Sequence, residues 1–408
     1  MLITTEEAHR IIRESIVPFT DDELLPLEKL QGCVLDRNIK APFSLPRFTN
    51  AAMDGFALQG EDIINVSHEF PVRLNVTQVI PAGKLSQLPV ESGCCAQIMT
   101  GAPLPEGTDT VVAFEDTSGF GSSEVDIYKA PKHGANVRHR AEEVDVDEML
   151  LKRGVSVSPA EIAVLSSFGF SLVEVKRKPT VSIVTVGDEL RLPGEEVADA
   201  EIFNCNRFML QAICRALGIE PAFIRHAADD RKLLREILEH SLAECDILIT
   251  AGGISTGEYD FVAQELSALG VIKKFWSVSQ KPGKPLYFGS SSSGKPVFSL
   301  PGNPISALVC FVEYCVPAFC LLQGKPLPDK LQAILAEPFP ADKKRHRFLL
   351  GKVWVEEGRL LCTLSSKIES HMITSLVGAN CLLEAGPASE HLQAGSLITF
   401  TMLPWATL

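Results

Sequence analysis

Apolar positions in the first sixteen residues fall on one face of a helix, which predicts an α-helix over Thr4 to Ile16 with Thr4 or Thr5 as its N-cap. From Leu45 to about Met149 the pattern shortens to two-residue alternation broken by Gly and Pro, as in VRLNVTQVI, CAQIMTGAPLPEGTDTVVAFE and EVDIYKA. Such texture predicts short strands joined by tight turns. A further helix is predicted over Pro159 to Phe168, with Ser158 able to cap it. From Pro179 the runs PTVSIVTVG, AFIRHAADD, DILITAGG and KPVFSLPGNP alternate with helical patterns at Cys205 to Leu217, Arg231 to Leu242 and Phe261 to Leu269. That alternation implies a doubly wound, mostly parallel sheet covered by helices on both faces. The polar run GSSSSGKP from Gly289 reads as a hairpin loop between 285–288 and 296–298, and beyond Pro326 the chain returns to short alternating strands (RHRFLLGKVWVEEGRLLCTL). The fold class is therefore α/β plus β, in several domains. Residues 1–43 with 150–176 form a helical or linker domain, 44–149 a strand-rich insertion, 177–327 the α/β domain and 328–408 a small C-terminal β domain.

Length and charge narrow the classes. A chain of 408 residues, 46% of them hydrophobic, exceeds what one core usually organises and is expected to divide into two to four domains. A net charge of -13 argues against sequence-independent nucleic-acid binding, so an anionic ligand must find a local basic pocket. The opening MLITTEEAHRII carries Glu6 and Glu7 and no long apolar core, so it does not read as a secretion signal. The apolar stretch Ile305 to Leu322 is broken by Glu313 and Pro317, which fits a buried helix rather than a membrane span. Eleven cysteines without a Cys-x-x-Cys pair, many among apolar neighbours, are expected to be buried reduced thiols in a cytoplasmic protein.

Three strands of the α/β segment end in unusual loops. TVGDEL ends in Asp188 and Glu189; LITAGGISTGEYD ends in Gly252, Gly253, Ser255, Glu258 and Asp260; FSLPGNPIS ends in Pro301, Gly302, Asn303 and Pro304. In an open parallel sheet, ligands bind outside the carboxyl ends of the strands, so these loops are expected to share one crevice. Gly252 and Gly253 let backbone N–H groups approach an anion, and the helix starts add the positive ends of their dipoles. The four acids are hard oxygen ligands of the kind Mg²⁺ uses when it bridges protein and substrate phosphate; singly, each also reads as an ordinary helix-start acid worth about 0.3–1 kcal/mol. QKPGKPLYF offers Lys281 and Lys284 around a Pro-Gly turn as an oxyanion cradle, or as a plain solvated turn. Asp54 in AAMDGFAL and Thr100 in IMTGAPLP lie at corners that read by default as β-turns. His139 and His346 sit in basic strand ends without ligand spacing, and there is no Walker loop, dinucleotide fingerprint or nucleophile elbow.

Taken together, NAAMDGFA, IMTGAPLPEGTDTVV, TVGDEL, AGGISTGEYD, KPGKP, SLPGNPISA and SHMITSLVGANCLL, in that order, resemble the molybdopterin molybdenumtransferase family, comprising bacterial MoeA and the E domain of gephyrin. The resemblance implies an elongated four-domain homodimer, dimerised through the helical domain, with its crevice between the α/β domain of one subunit and the small β domain of the other. It implies insertion of molybdate into adenylylated molybdopterin, release of AMP, and a divalent cation such as Mg²⁺. Carried over by position, the functional residues are Asp54, Thr100, Glu189, Asp229 and Asp260 as catalytic, with Asp188, Glu189 and Asp260 for the cation. Gly252, Gly253, Ser255, Lys281, Lys284, Pro301 to Pro304, Ser370 and His371 would bind substrate, and Arg345 is the candidate match for an arginine used on molybdate. Other cofactor-biosynthesis proteins and acceptor apoenzymes are the implied partners, with no nucleic acid and no membrane. Departures cluster near the site: Arg140-Ala141-Glu142-Glu143 replaces Arg-Gly-Glu-Asp, Ser277 replaces a lysine, and Asn204-Cys205-Asn206 replaces Asp-Ser/Thr-Asn. The competing readings are a molybdopterin adenylyltransferase, which uses a similar α/β domain alone, and a non-catalytic scaffold.

Overall fold

In the computed structural model, which describes residues 2–228, 230–254, 261–388 and 390–407, the apolar runs after Pro179 build one six-stranded sheet. Its order is Phe223–Ala227, Val181–Val186, Ile247–Ala251, Pro296–Leu300, Tyr287–Ser290, Ile272–Trp276. The first four strands are parallel, and Tyr287–Ser290 runs antiparallel to both its neighbours, Pro296–Leu300 and Ile272–Trp276, the hairpin at Gly289 lying where the sequence places it. Both faces are buried because side chains alternate. Ile183, Ile249 and Phe298 join Leu210 and Ile213 of the helix Cys205–Ala216 on one side, whereas Val184, Leu248 and Val297 join Leu234, Leu238, Val262 and Leu266 on the other. Each such side chain removed from water contributes about 1.5–3 kcal/mol, which fixes the register that aligns the strand ends.

The opening helix, Thr5–Ser15, is capped by Thr4, whose hydroxyl accepts from the Glu7 N–H at 3.1 Å. Its Ala8 and Ile12 pack into the α/β core, together with the apolar stretch 304–323. That stretch runs as Pro304–Cys310, a wide π turn Phe311–Cys315, and Val316–Gln323. Among the described residues it is the one helix long and apolar enough to cross a membrane, and its most apolar window is 83% buried within the protein. Segments expected to be helical or linker also carry a three-stranded antiparallel sheet, Asp22–Pro26, Leu172–Lys176 and Val34–Leu35. The C-terminal strands close into a small barrel, since His346–Glu356 pairs with both Arg359–Leu364 and Cys381–Ala385. Its edge strand is Gln280–Lys281, contributed by the α/β segment.

The chain divides into two compact units. All of the above belongs to the first, which comprises Met1–Asp36, Gly154–Ile162 and Leu172–Leu408. The second, Arg37–Arg153 with Ala163–Ser171, is the strand-rich insertion. Its five-stranded sheet runs Thr110–Ala113, Gly55–Leu58, Cys94–Ile98, Val72–Ile80, Glu124–Ile127. Neighbouring residues again face opposite ways: Ala57, Ala96 and Val111 fill one core, and Phe56, Cys95 and Val112 another. All eleven cysteines are free, as expected for thiols used as small apolar groups.

Candidate active site

Because Val181–Val186, Ile247–Ala251 and Pro296–Leu300 are adjacent parallel strands, the loops after them emerge at one edge. They line a cavity of about 610 Å³ with Gly187, Glu189, Asn204, Gly252, Gly253 and the run 301–304 among its walls. Gly252 has φ 93°, and a Cβ there would stand 2.3 Å from the Val186 carbonyl oxygen. Its N–H donates to the Leu300 carbonyl at 3.1 Å, so this group, which the sequence offered to an anion, instead ties two strand ends together. Gly253 likewise allows close packing, a Cβ there meeting Val262 Cγ2 at 2.6 Å. The Glu189 side chain is exposed and folds over Gly187, whose absent Cβ leaves room for the carboxylate. Asp188 beside it is exposed but lies outside the cavity lining. Asn206 donates through Nδ2 to the Gly302 carbonyl at 2.7 Å, while its buried Oδ1 has no hydrogen-bond partner.

A smaller pocket of about 210 Å³ shares Asn303 and Pro285 with that cavity and is predominantly basic. Lys281, Lys284, Arg345 and Arg347 line it, with Ser306, Ser370 and one acid, Glu369. The two arginines differ sharply. Arg345 is engaged by Asp342, which accepts at Oδ2 from Nη2 at 2.8 Å and from Nε at 3.2 Å. Hydrogen bonds from the Arg345 side chain and the Lys344 N–H hold the Asp342 carboxyl down at about 2. Arg347 is only 6% exposed, burial disfavours its charged form, and its Nε has no hydrogen-bond partner. A buried cation with an open donor is the group here most in need of an anion. Arg345 is the arginine the sequence points to, and Arg347 is not; the available signal was the Arg-x-Arg spacing at the start of the strand His346–Glu356, which lets both arginines turn to the same side.

Other candidates fall elsewhere. Ser370 borders the basic pocket, its Oγ 3.4 Å from Asn303 Nδ2, whereas His371 is exposed and lines neither cavity. Asp54 and Thr100 meet within the second unit: Asp54 Oδ1 accepts from both the Thr100 N–H and its hydroxyl at 2.7 Å, and these bonds lower the Asp54 pKa. Asp229, Ser255, Glu258 and Asp260 lie outside the described residues. Among the described residues no group of three or more His, Cys, Asp and Glu side chains is arranged to hold a metal ion. Mg²⁺ commonly binds through one or two carboxylates plus substrate phosphate and water, so the exposed Glu189 carboxylate at the crevice, with Asp188 next to it, fits such an ion.

Three family models match in succession: the MoeA N-terminal region (domain I and II) at residues 3–169, a probable molybdopterin binding domain at 182–320, and the MoeA C-terminal region (domain IV) at 332–403. Molybdopterin molybdenumtransferase 2 of Mycobacterium tuberculosis is 31% identical over 405 residues, covering 96% of this chain and 98% of the relative. The chain belongs to the molybdopterin molybdenumtransferase family. The Bacillus subtilis molybdopterin molybdenumtransferase is 29% identical over 401 residues, 95% of this chain and 93% of its own. A crystal structure of the molybdopterin biosynthesis MoeA protein from Pyrococcus horikosii superposes with a TM-score of 0.81 at 31% identity, covering 99% of each chain.

Positions that depart from the molybdopterin molybdenumtransferase pattern now have physical readings. Ala141, where the resemblance implies a glycine, has φ 64°, and Ser277 has φ 83°; both occupy the left-handed region that favours glycine. Asn204 is only 2% exposed and caps the helix Cys205–Ala216, its Oδ1 accepting from the Arg207 N–H at 3.1 Å while Nδ2 donates to Thr185 Oγ1 at 2.7 Å. The substitution of Asn for Asp therefore leaves a neutral, hydrogen-bonded cap where a carboxylate would be a buried charge.

Proposed function

We propose that this chain inserts molybdenum into adenylylated molybdopterin, releasing AMP and forming the molybdenum cofactor. The observation that carries this reading is the basic pocket adjoining the strand-end cavity at Asn303 in an otherwise acidic chain. One compartment suits a compact oxyanion, molybdate, held by Lys281, Lys284 and Arg347. The other suits a larger phosphate-bearing pterin, with Asn303 and Pro304 at the start of the following helix in its wall. Holding both substrates side by side removes most of the entropic barrier to their reaction. Glu189, with Asp188 and with Asp260 beyond the described residues, would hold the divalent cation. Bound Mg²⁺ would draw charge from the phosphoanhydride as it is cleaved. Asp54 and Thr100 are proposed to serve the same reaction as a preformed carboxylate–hydroxyl pair. A cytoplasmic homodimer, with partner biosynthesis proteins and acceptor apoenzymes, completes the reading.

The test supplies purified protein with adenylylated molybdopterin and Mg²⁺, with and without molybdate, and follows AMP by chromatography. AMP release that requires molybdate is the expected result. Production of adenylylated pterin from ATP would make the chain an adenylyltransferase, and no turnover with either substrate set would leave the scaffold reading.

A further inference from the structure

The start of the strand His346–Glu356, with Arg345 just before it, separates two cavities. Arg345 and Arg347 line the basic pocket, whereas His346 between them lines a second cavity of about 780 Å³ behind the strand. There the His346 Nε2 lies 3.1 Å from Glu384 Oε2 and its Nδ1 3.2 Å from Thr5 Oγ1, while the ring stacks on Phe348 with centroids 4.7 Å apart. With Nδ1 accepting from the Thr5 hydroxyl, the Nε2–H donates to Glu384; this tautomer is assigned from the partners.

The chain of contacts continues inward. Lys330 bridges Glu384 and Glu313, lying 3.0 Å from Glu313 Oε2. Burial opposes ionisation of Glu384, but the His346 hydrogen bond and the Lys330 charge outweigh it and hold its carboxyl below the ordinary range. Glu313, 3% exposed, belongs to the π turn Phe311–Cys315. The next residue, Tyr314, donates its hydroxyl to Gln280 Oε1, and Gln280 Nε2 donates to the Pro282 carbonyl at 3.1 Å. Gln280 pairs in register with His346, and Lys281 with Arg347. Each cation-bearing strand thus has a polar residue beside its cation that is tied, directly or through charged partners, to one buried turn. Nothing in the chemistry proposed above uses His346, Glu384, Lys330 or Glu313. The buried carboxylates Glu384 and Glu313 are costly as charges unless paired, and Lys330, itself partly open to solvent, pairs both; a polar network so satisfied holds geometry rigidly.

We propose that His346 is a positioning residue: its two hydrogen bonds fix the strand end that presents Arg347 to the oxyanion. This rests on the basic pocket being the molybdate site.

The experiment titrates molybdate alone into the intact protein by calorimetry and measures KM separately for molybdate and for adenylylated molybdopterin. His346→Leu keeps the bulk against Phe348 and removes both hydrogen bonds; His346→Gln keeps a donor and an acceptor. His346→Leu is expected to weaken molybdate binding and raise its KM by about tenfold, one interaction of ~1.4 kcal/mol, and to leave the pterin KM within about twofold. His346→Gln is expected to stay within about twofold of wild type on both. Should His346→Leu fail to fold, Thr5→Val removes one end of the clamp and is expected to show the same split between substrates. Unchanged molybdate affinity in the folded variant, equal rises in both KM values, or no rescue by Gln would overturn the proposal. Lys281→Met in the unmodified background checks the foundation separately: unchanged molybdate affinity there would overturn the pocket reading itself.

Discussion

Lys281 and Arg347 are register partners across a parallel strand pair, so two cations more than sixty residues apart in sequence stand side by side at the edge of the barrel. Like charges so placed repel unless an anion comes between them. Arg347→Met should therefore weaken molybdate binding by about tenfold or more, the worth of a charged hydrogen bond, without lowering stability, because it replaces a buried, incompletely paired cation by an apolar chain of similar length. Calorimetric titration and thermal melting of the same preparation check both halves. A variant that binds normally, or that melts well below wild type, contradicts this reading of Arg347.

Two of the crevice glycines, Gly252 and Gly302, should behave oppositely. Gly252→Ala forces a side chain into φ 93° and against the Val186 carbonyl at 2.3 Å, at a cost of more than about 2 kcal/mol. Gly302→Ala lacks both problems, its Cβ having Gly252 Cα at 3.8 Å as nearest neighbour. Denaturant melts should show a large loss for the first and little for the second, while pterin binding by Gly302→Ala falls because the methyl group enters the cavity wall.

Ala141→Gly should raise stability by about 0.5–1 kcal/mol, since relief of the left-handed strain at φ 64° exceeds the added freedom of glycine in the unfolded chain. A midpoint that falls in urea would show that Ala141 is not strained.

Much of this was readable from residues. Thr4 and the spacing of Ala8 and Ile12 marked the first helix, and the apolar runs ending in TVG, TAGG and SLPGN marked three adjacent parallel strands. Periodicity reports which face is buried, not against what. It therefore missed that the first helix joins the α/β core, and that Asp22–Pro26 pairs with a strand nearly 150 residues later. It also missed the difference between Arg345 and Arg347, which depends on the Asp342 ion pair and on burial. The role of Gly252 was half legible. Its need for a sharp bend was plain, but the loss of its N–H to Leu300 depends on a neighbouring strand end.

Asp342 gives a pH signature. Its folded carboxyl, at about 2, lies below the ordinary 3.8, so its contribution to stability is present above pH ~3.8 and is lost as pH falls toward ~2. Asp342→Asn should melt below wild type at pH 6, and the gap should close as pH is lowered through that window. A gap independent of pH would mean that Asp342 does not act through its charge.

A crystal soaked in molybdate, with data collected at the molybdenum absorption edge, locates the oxyanion without reference to any substrate. An anomalous peak within hydrogen-bonding reach of Lys281 and Arg347, beside Asn303, is expected. A peak at any other site, with that pocket holding only water, would contradict the assignment of this chain's basic pocket to molybdate.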